Sequence, residues 1–289
     1  MKKPAAKLKQ KIMNTDNELK ELVKERYSQI ATQSLEQNLS SCCGATGCCS
    51  DEAAIMADDY SNIEGYNSDA DLGLGCGIPT QFAKIREGDT VVDLGSGAGN
   101  DAFVARRYVG EKGKVIGIDF THAMIEKARA NVDQLGFNNI EFRFGDIEKM
   151  PITANRADVI ISNCVLNLVP NKRNVFAEIF RVLKPRGHFS ISDIVLDGQL
   201  PENLKKAAEM YAGCVSGSIQ KEDYLGIIRE TGFVNLSLLK EKRIVLPDSL
   251  LLEYMSENEL VELKNSNLGI YSITVYAEKP CCTPGTGCC

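Results

Sequence analysis

Cysteine is the residue type in this sequence with the greatest potential for chemistry. The chain has 289 residues and eleven cysteines, of which eight lie in two clusters, CCGATGCC beginning at Cys42 and CCTPGTGCC beginning at Cys281. The remaining three are Cys76, Cys164 and Cys214. An odd number in a long chain argues against a disulfide scaffold and indicates thiol chemistry or soft-metal binding. Neither cluster has the C-x₂-C spacing of a structural zinc site.

The composition excludes several classes of protein. A net charge of −6 lacks the basic excess of a nucleic-acid binder, and no apolar stretch is long enough to cross a membrane. We therefore expect neither a nucleic acid nor a membrane as a partner. The basic N-terminus, MKKPAAKLKQKIM, lacks the apolar run of a signal peptide, so we expect a cytoplasmic location in which thiols stay reduced. The sequence has only two histidines, so a histidine base or a histidine-rich metal site has few candidate residues.

A glycine-rich loop follows the first regular strand and precedes a helix, in the segment DLGSGAGND. Twenty residues after Gly99, Asp119 stands at the end of the next strand, where a carboxylate can accept both ribose hydroxyls of an adenosine. A further acidic residue, Asp146, follows the third predicted strand. The spacing is G-x-G-x-G, and Asn100 takes the place of the last glycine of the dinucleotide fingerprint.

The residue before the loop, Asp93, favours a cationic ligand over a diphosphate on Coulomb grounds. S-adenosylmethionine meets this requirement, because it combines an adenosine, a sulfonium and an amino acid and carries no phosphate. NAD binding and a glycine turn that serves packing alone remain as alternatives. We assign the cofactor site to these residues: Asp93, Gly95, Gly97, Gly99, Asp119, Asp146 and Asn163.

Strands and helices alternate from residue 90 onwards, which predicts an α/β fold with a doubly wound, mostly parallel sheet. The predicted strands are Val91–Leu94, Val115–Ile118, Ile140–Phe144, Val159–Ser162 and Phe189–Ser192. The helices between them are Ala102–Tyr108, Ala123–Leu135 and Val175–Leu183. Beyond them we predict helices at Asn203–Cys214 and Lys221–Thr231, strands at Val234–Leu239 and Ile270–Glu278, and a helical insertion at Leu250–Leu263.

Cys164 lies at the carboxyl end of the fourth predicted strand, the edge that faces the ligand crevice in a doubly wound sheet. We therefore expect it near the transferable methyl group, although a buried packing cysteine is the alternative. Cys76 lies in a glycine-rich loop with no core to fill, whereas Cys214, beside Gly213 on a predicted helix, is typical of packing. Three such thiols together could hold a soft trivalent ion such as arsenic(III).

Several segments resemble known families. DLGSGAGND, GIDFTHAMIEKAR and FRVLKPRGHFSISD resemble the class I methyltransferases that use S-adenosylmethionine, which have a Rossmann-like fold. DLGLGCGIP, VIISNCVLNLVPNK and YAGCVSG resemble the arsenite methyltransferases, in which cysteines occupy the same loops. The resemblance covers about residues 60–235.

The resemblance implies a set of roles for the cysteines. It makes Cys76, Cys164 and Cys214 the ligands of trivalent arsenic, supplied as arsenite or its thiol conjugates. Cys48 matches a further cysteine that takes part in a thiol–disulfide relay, with Cys49 as the alternative, and the four cysteines Cys48, Cys76, Cys164 and Cys214 form the catalytic set. The relay requires thioredoxin or glutathione as reductant.

We divide the chain into four parts. Residues 1–60 form an N-terminal helical segment with the first cysteine cluster, and residues 61–197 form the S-adenosylmethionine-binding domain. Residues 198–279 are a C-terminal α+β addition that completes the sheet and the arsenic site, and residues 280–289 are a flexible cysteine-rich tail. We interpret the terminal cysteine pairs as arsenic-capturing groups, with adventitious soft-metal binding as the alternative.

The leading hypothesis is an enzyme that methylates arsenite for detoxification. A methyltransferase for a carbon or oxygen of a small metabolite, with a structural zinc site, is the second hypothesis. A thiol-rich protein that sequesters metalloids without catalysis is the third.

Overall fold

The computed structural model describes residues 16–33, 58–203, 215, 217–266 and 268–281. In this part of the chain one sheet contains seven strands: β1 (Thr90–Leu94), β2 (Lys114–Asp119), β3 (Ile140–Phe144), β4 (Ala157–Asn163), β5 (Leu183–Asp197), β6 (Val234–Ile244) and β7 (Gly269–Glu278). The α-helices are α1 (Asp16–Ala31), α2 (Asn100–Val109), α3 (His122–Leu135), α4 (Lys172–Val182), α5 (Lys221–Glu230), α6 (Asp248–Leu251) and α7 (Glu257–Asn265).

The strand order is β3-β2-β1-β4-β5-β7-β6. The first five strands are parallel, and β7 is inserted antiparallel between β5 and β6. The chain winds outward from β1 in one direction and returns to build the other half of the sheet from β4. In open α/β sheets a ligand crevice forms where the strand order reverses, at the carboxyl ends of the strands. Here that point lies between β1 and β4.

Each face of the sheet is covered by a separate apolar layer. On one face Phe176 of α4 packs against Phe189 of β5 and against Tyr224 of α5. On the other face Phe103 of α2 and Met124 of α3 are buried against the strands, and α1 packs on α3. Parallel strands covered on both faces read as continuous apolar runs, which is why the sequence pattern predicted the doubly wound sheet correctly.

The structure extends some predicted elements and divides another. β5 runs to Asp197 because its second half pairs with β7, although Ser192 and Asp193 interrupt its apolar run. The predicted helix at 250–263 is instead two helices, α6 and α7, and α7 begins at a capping box formed by Ser256 and Glu259. Most of the predicted helix at 203–214 lies outside the described residues, as do both halves of the first cysteine cluster. None of the helices described here is long and apolar enough to cross a membrane.

Candidate active site

A cavity of about 390 Å³ lies above the carboxyl ends of β1, β2 and β4. This volume falls in the range of small-molecule sites, which is roughly 300–1,000 Å³. Its lining combines the glycine loop with carboxyl groups, an amide and a cysteine, among them Asp93, Asp101, Asp119, Asn163 and Cys164. Six of the seven residues that the sequence assigned to the cofactor, all but Gly99, line this cavity, and so does Cys164 of the predicted arsenic ligands.

The glycine loop has a backbone that L-residues rarely adopt. Gly95 has φ +64°, and a Cβ built there would lie 2.5 Å from the side chain of Val165. Gly97 has φ +51°, but a Cβ there would meet no atom within 4 Å. The first glycine is thus required for packing, whereas the second leaves open space in which a ligand can approach the backbone.

Asp119 holds this loop in place from the end of β2. One carboxylate oxygen accepts the Gly97 N–H at 3.0 Å, and the other accepts the Thr121 N–H at 2.8 Å. Burial raises the pKa of Asp119, and these backbone donors act against that shift. The carboxylate therefore anchors the loop, and a ligand hydroxyl would share its acceptor oxygens with these donors.

Three carboxyl groups, those of Asp93, Asp101 and Asp119, crowd one side of the cavity. Burial raises the pKa of Asp93 well above its ordinary value, and repulsion from the other two adds to the effect. Burial also raises the pKa of Asp101, to about 6. Among the described residues, no lysine or arginine forms an ion pair with any of the three. A cationic ligand would relieve this repulsion.

Asp146 lies at another part of the cavity wall, where α1 crosses it. The Lys20 ammonium donates to the Asp146 carboxylate at 2.6 Å and also pairs with Glu148. The second oxygen of Asp146 accepts the Glu148 N–H at 2.8 Å. The sequence placed Asp146 at the site but gave no sign of Lys20, which lies 126 residues away in the chain.

Cys76 and Cys164 are joined by a disulfide bond at the edge of the cavity, with their Cα atoms 5.8 Å apart. Two expectations therefore need correction. The sequence did not predict a disulfide, but the fold brings Cys76 and Cys164 close enough to form one. Cys76 also has a core to fill: it is 2% exposed and packs in one apolar cluster with Cys164, Ile194 and Val215.

The other two cysteines of the predicted catalytic set, Cys48 and Cys214, lie outside the described residues. Val215, the residue after Cys214, belongs to the apolar cluster around the disulfide. Cys281 is described and is exposed. The structure thus brings Cys76 and Cys164 together and leaves the remaining assignments as predictions.

Sequence reasoning missed Tyr60 and Asp101, which form one hydrogen-bonded network with Asn163. The Tyr60 hydroxyl lies 2.9 Å from Asp101, and the Asn163 amide donates to Tyr60 at 2.8 Å. Asp101 is the second residue of α2, directly after the glycine loop, and this position was a usable signal. Tyr60 lies in a segment without periodicity, so only the fold reveals its role.

The cavity fits S-adenosylmethionine on observations of its own. The acidic cluster suits a sulfonium and an ammonium, and the open space at Gly97 suits a close backbone approach. Buried oxygens without a hydrogen-bond partner also belong to lining residues, namely those of Asp93, Ser96, Asn100 and Thr121. Such atoms are rare in folded proteins, and a ligand bound in the cavity would provide partners for them.

Comparison with known proteins also points to a methyltransferase. A family model described as a methyltransferase domain matches residues 85–232. An arsenite methyltransferase of Halobacterium salinarum is 38% identical over 278 residues, which cover 91% of this chain and 67% of that protein. An arsenite methyltransferase of Aquipseudomonas alcaligenes is 30% identical, with 82% of this chain and 68% of that protein covered.

Among solved structures, an arsenic(III) S-adenosylmethionine methyltransferase from Chlamydomonas reinhardtii is similar, with 33% identity and a TM-score of 0.61. The match covers 81% of this chain and 74% of the algal one. Sheet order, glycine loop and acidic cavity define the class: this is a class I methyltransferase, an enzyme that uses S-adenosylmethionine. Within that class, the chain belongs to the arsenite methyltransferase family.

Proposed function

We propose that this chain transfers methyl groups from S-adenosylmethionine to trivalent arsenic held by cysteine thiolates. The observation that carries the proposal is the position of the Cys76–Cys164 pair, because Cys164 lines the same cavity as the acidic cluster. Thiolates are soft ligands and favour soft ions. Both microbial relatives named above are themselves arsenite methyltransferases.

The chemistry needs positioning more than proton transfer. The cofactor supplies an electrophilic methyl group on a sulfonium sulfur. The lone pair of thiolate-bound arsenic forms the arsenic–carbon bond while the carbon–sulfur bond breaks, which leaves S-adenosylhomocysteine and a formally two-electron-oxidised arsenic. In-line approach of the reacting atoms is the main requirement, and it is favoured by a cavity that both the glycine loop after β1 and Cys164 after β4 line.

The thiol pair can return those electrons. When the Cys76 and Cys164 thiolates form a disulfide, their two bonds to arsenic break and two electrons pass to the arsenic, which returns to the trivalent state. A three-thiolate site of Cys76, Cys164 and Cys214 requires this bond to be opened again, which takes two electrons and two protons from two external thiols or one dithiol. We propose Cys48 as the relay cysteine, with Cys49 as the alternative, and thioredoxin or glutathione as the reductant. A cytoplasmic location suits such reductants.

Arsenic speciation tests the proposal. Purified protein is incubated with arsenite, S-adenosylmethionine and a thiol, and the products are identified by liquid chromatography with mass detection. We expect methylated arsenic and an equivalent amount of S-adenosylhomocysteine, and no methylation by Cys164→Ser. Arsenic that is bound but never methylated would favour the sequestration hypothesis. Bound zinc and no arsenic product would favour the small-metabolite methyltransferase.

A further inference from the structure

Asn163 connects the strand that carries one active-site thiol to the loop that carries the other. It is the last residue of β4 and directly precedes Cys164. The Cys164 N–H donates to Ser192 O of the neighbouring strand β5 at 2.8 Å, so the backbone of this cysteine is fixed by the sheet. Cys76 has no such support, because it lies in a loop outside any helix or strand.

The Cys76 loop is held by hydrogen bonds from side chains of the sheet, because it has no backbone pairing with a strand described here. The Asn163 Oδ1 accepts the Cys76 N–H at 3.0 Å, and its Nδ2 donates to Gly77 O at 2.8 Å. The amide therefore binds the loop backbone through a donor and an acceptor at once, as a neighbouring strand would. On the other side, the Ser272 hydroxyl of β7 donates to Cys76 O at 2.6 Å.

A second layer fixes the orientation of the Asn163 amide. Its Nδ2 also lies 2.8 Å from the Tyr60 hydroxyl and 3.1 Å from an Asp101 carboxylate oxygen. Reversing the amide would place Oδ1 against these oxygens and would face Nδ2 with the Cys76 N–H, so the network selects one orientation. Gly75 allows this close approach, since a Cβ at that position would lie 2.7 Å from Asn163 Nδ2.

We infer that Asn163 is the positioning residue of the thiol pair: its amide holds the Cys76 loop against the end of β4, so that the two sulfurs meet when the disulfide closes. The 5.8 Å separation of the two Cα atoms lies within the range that a disulfide requires, about 4.4–6.8 Å. The amide bonds to backbone atoms, which are the same in the oxidised and reduced forms. This inference rests on the proposed function, and it gives Asn163 a role beyond the cofactor site to which its sequence motif assigned it.

The reduction potential of the Cys76–Cys164 pair tests this role. Full-length protein is equilibrated with reduced and oxidised glutathione, free thiols are alkylated, and the linked and unlinked peptides of this pair are quantified by mass spectrometry. In this exchange the two thiols and one glutathione disulfide give one protein disulfide and two glutathione thiols. Asn163→Leu keeps the volume but removes both loop contacts, and we expect the equilibrium constant to fall about tenfold, which is about 30 mV.

Two further variants guard against a general folding defect. Asn163→Asp keeps the acceptor for the Cys76 N–H but places a carboxylate oxygen against Gly77 O and the Asp101 carboxylate, so we expect a fall at least as large as in Asn163→Leu. Asn131→Leu is the matched control, because the Asn131 amide is buried and holds Ala98 O at 3.1 Å, away from the Cys76 loop. We expect this control to leave the thiol equilibrium within twofold of wild type.

The outcome separates positioning from cofactor binding. An equilibrium constant unchanged in both Asn163 variants overturns the inference, and so does an equal fall in the Asn131 control. S-adenosylmethionine affinity, measured by calorimetry on the same samples, provides the comparison: a large loss of affinity with an unchanged thiol equilibrium would make Asn163 a cofactor ligand only. Because the thiol measurement contains no arsenic, its failure is distinguishable from failure of arsenite methylation.

Discussion

Replacing Asp101 by Asn should stabilise the ligand-free protein while weakening its cofactor binding. The Asp101 carboxyl lies in a cluster with Asp93 and Asp119, and no lysine or arginine among the described residues pairs with it. Burial raises its pKa from 3.8 to about 6. An acid whose folded pKa is raised binds its proton more tightly when folded. Its ionisation therefore destabilises the fold, and stability falls as the pH rises from 3.8 to 6.

The size of the effect follows from the shift. Two pKa units correspond to about 3 kcal/mol, which is fully lost above pH 6. Asparagine cannot ionise, but it has one acceptor oxygen in place of two, and the lost charged hydrogen bond costs about 1.5 kcal/mol. The net gain at pH 8 is then about 1.5 kcal/mol, or roughly 3–6 °C in Tm. At pH 5 the wild-type protein has already lost about half of the 3 kcal/mol that ionisation of Asp101 removes. The free energy of unfolding of the variant, relative to wild type, should therefore rise by about 1.4 kcal/mol between pH 5 and pH 8.

Urea unfolding at these two pH values, without ligand, measures the free energy of unfolding, and calorimetry at pH 8 measures the affinity for S-adenosylmethionine. Removing one negative charge from a cluster that faces a cation should weaken binding by about 1–2 kcal/mol, or roughly five- to thirtyfold. Asp69→Asn, at an exposed position, is the control and should change neither quantity. An Asp101 variant whose relative stability does not rise with pH, or whose affinity for S-adenosylmethionine is unchanged, would refute the electrostatic reasoning.

Three further outcomes can be checked directly. Asp119→Asn should weaken S-adenosylmethionine binding by at least tenfold in calorimetry, because the side chain loses an acceptor that either the glycine loop or the ligand requires. Gly95→Ala should destabilise the protein by about 1–2 kcal/mol in urea unfolding, from its positive φ, and by more from its contact with Val165. Cys48→Ser should stop turnover of arsenite even at saturation, as judged from rate-versus-arsenite curves, whereas Cys49→Ser should keep it; the reverse result would exchange their roles.

Local patterns predicted the part of the site that is built from one strand–loop–helix unit. The glycine loop, Asp119 and the carboxyl end of β4 were all placed correctly, because each follows a buried strand whose apolar run is visible in the sequence. The crevice between β1 and β4 then follows from the rules of doubly wound sheets. These features need no knowledge of distant contacts.

Long-range contacts account for what the sequence did not predict. Cys76 is buried by a partner 88 residues away, and nothing in its glycine-rich surroundings has the periodicity of a core element. Lys20 reaches Asp146 across 126 residues, from a helix that reads only as amphipathic. β5 extends over Ser192 and Asp193 because β7 pairs with it, although two polar residues in a row favour a strand end.

The site concentrates features that oppose folding. Cys164 has φ +61°, a left-handed backbone that costs a non-glycine residue about 1–3 kcal/mol. Three buried carboxyl groups repel one another in the cavity that Cys164 lines, and Asp93 has a buried oxygen without a partner. Such features persist only where the surroundings determine the local backbone completely. β4 meets this condition because it is hydrogen-bonded to β1 on one side and to β5 on the other. The sheet therefore fixes the strand end that precedes the strained cysteine and borders the acidic cavity.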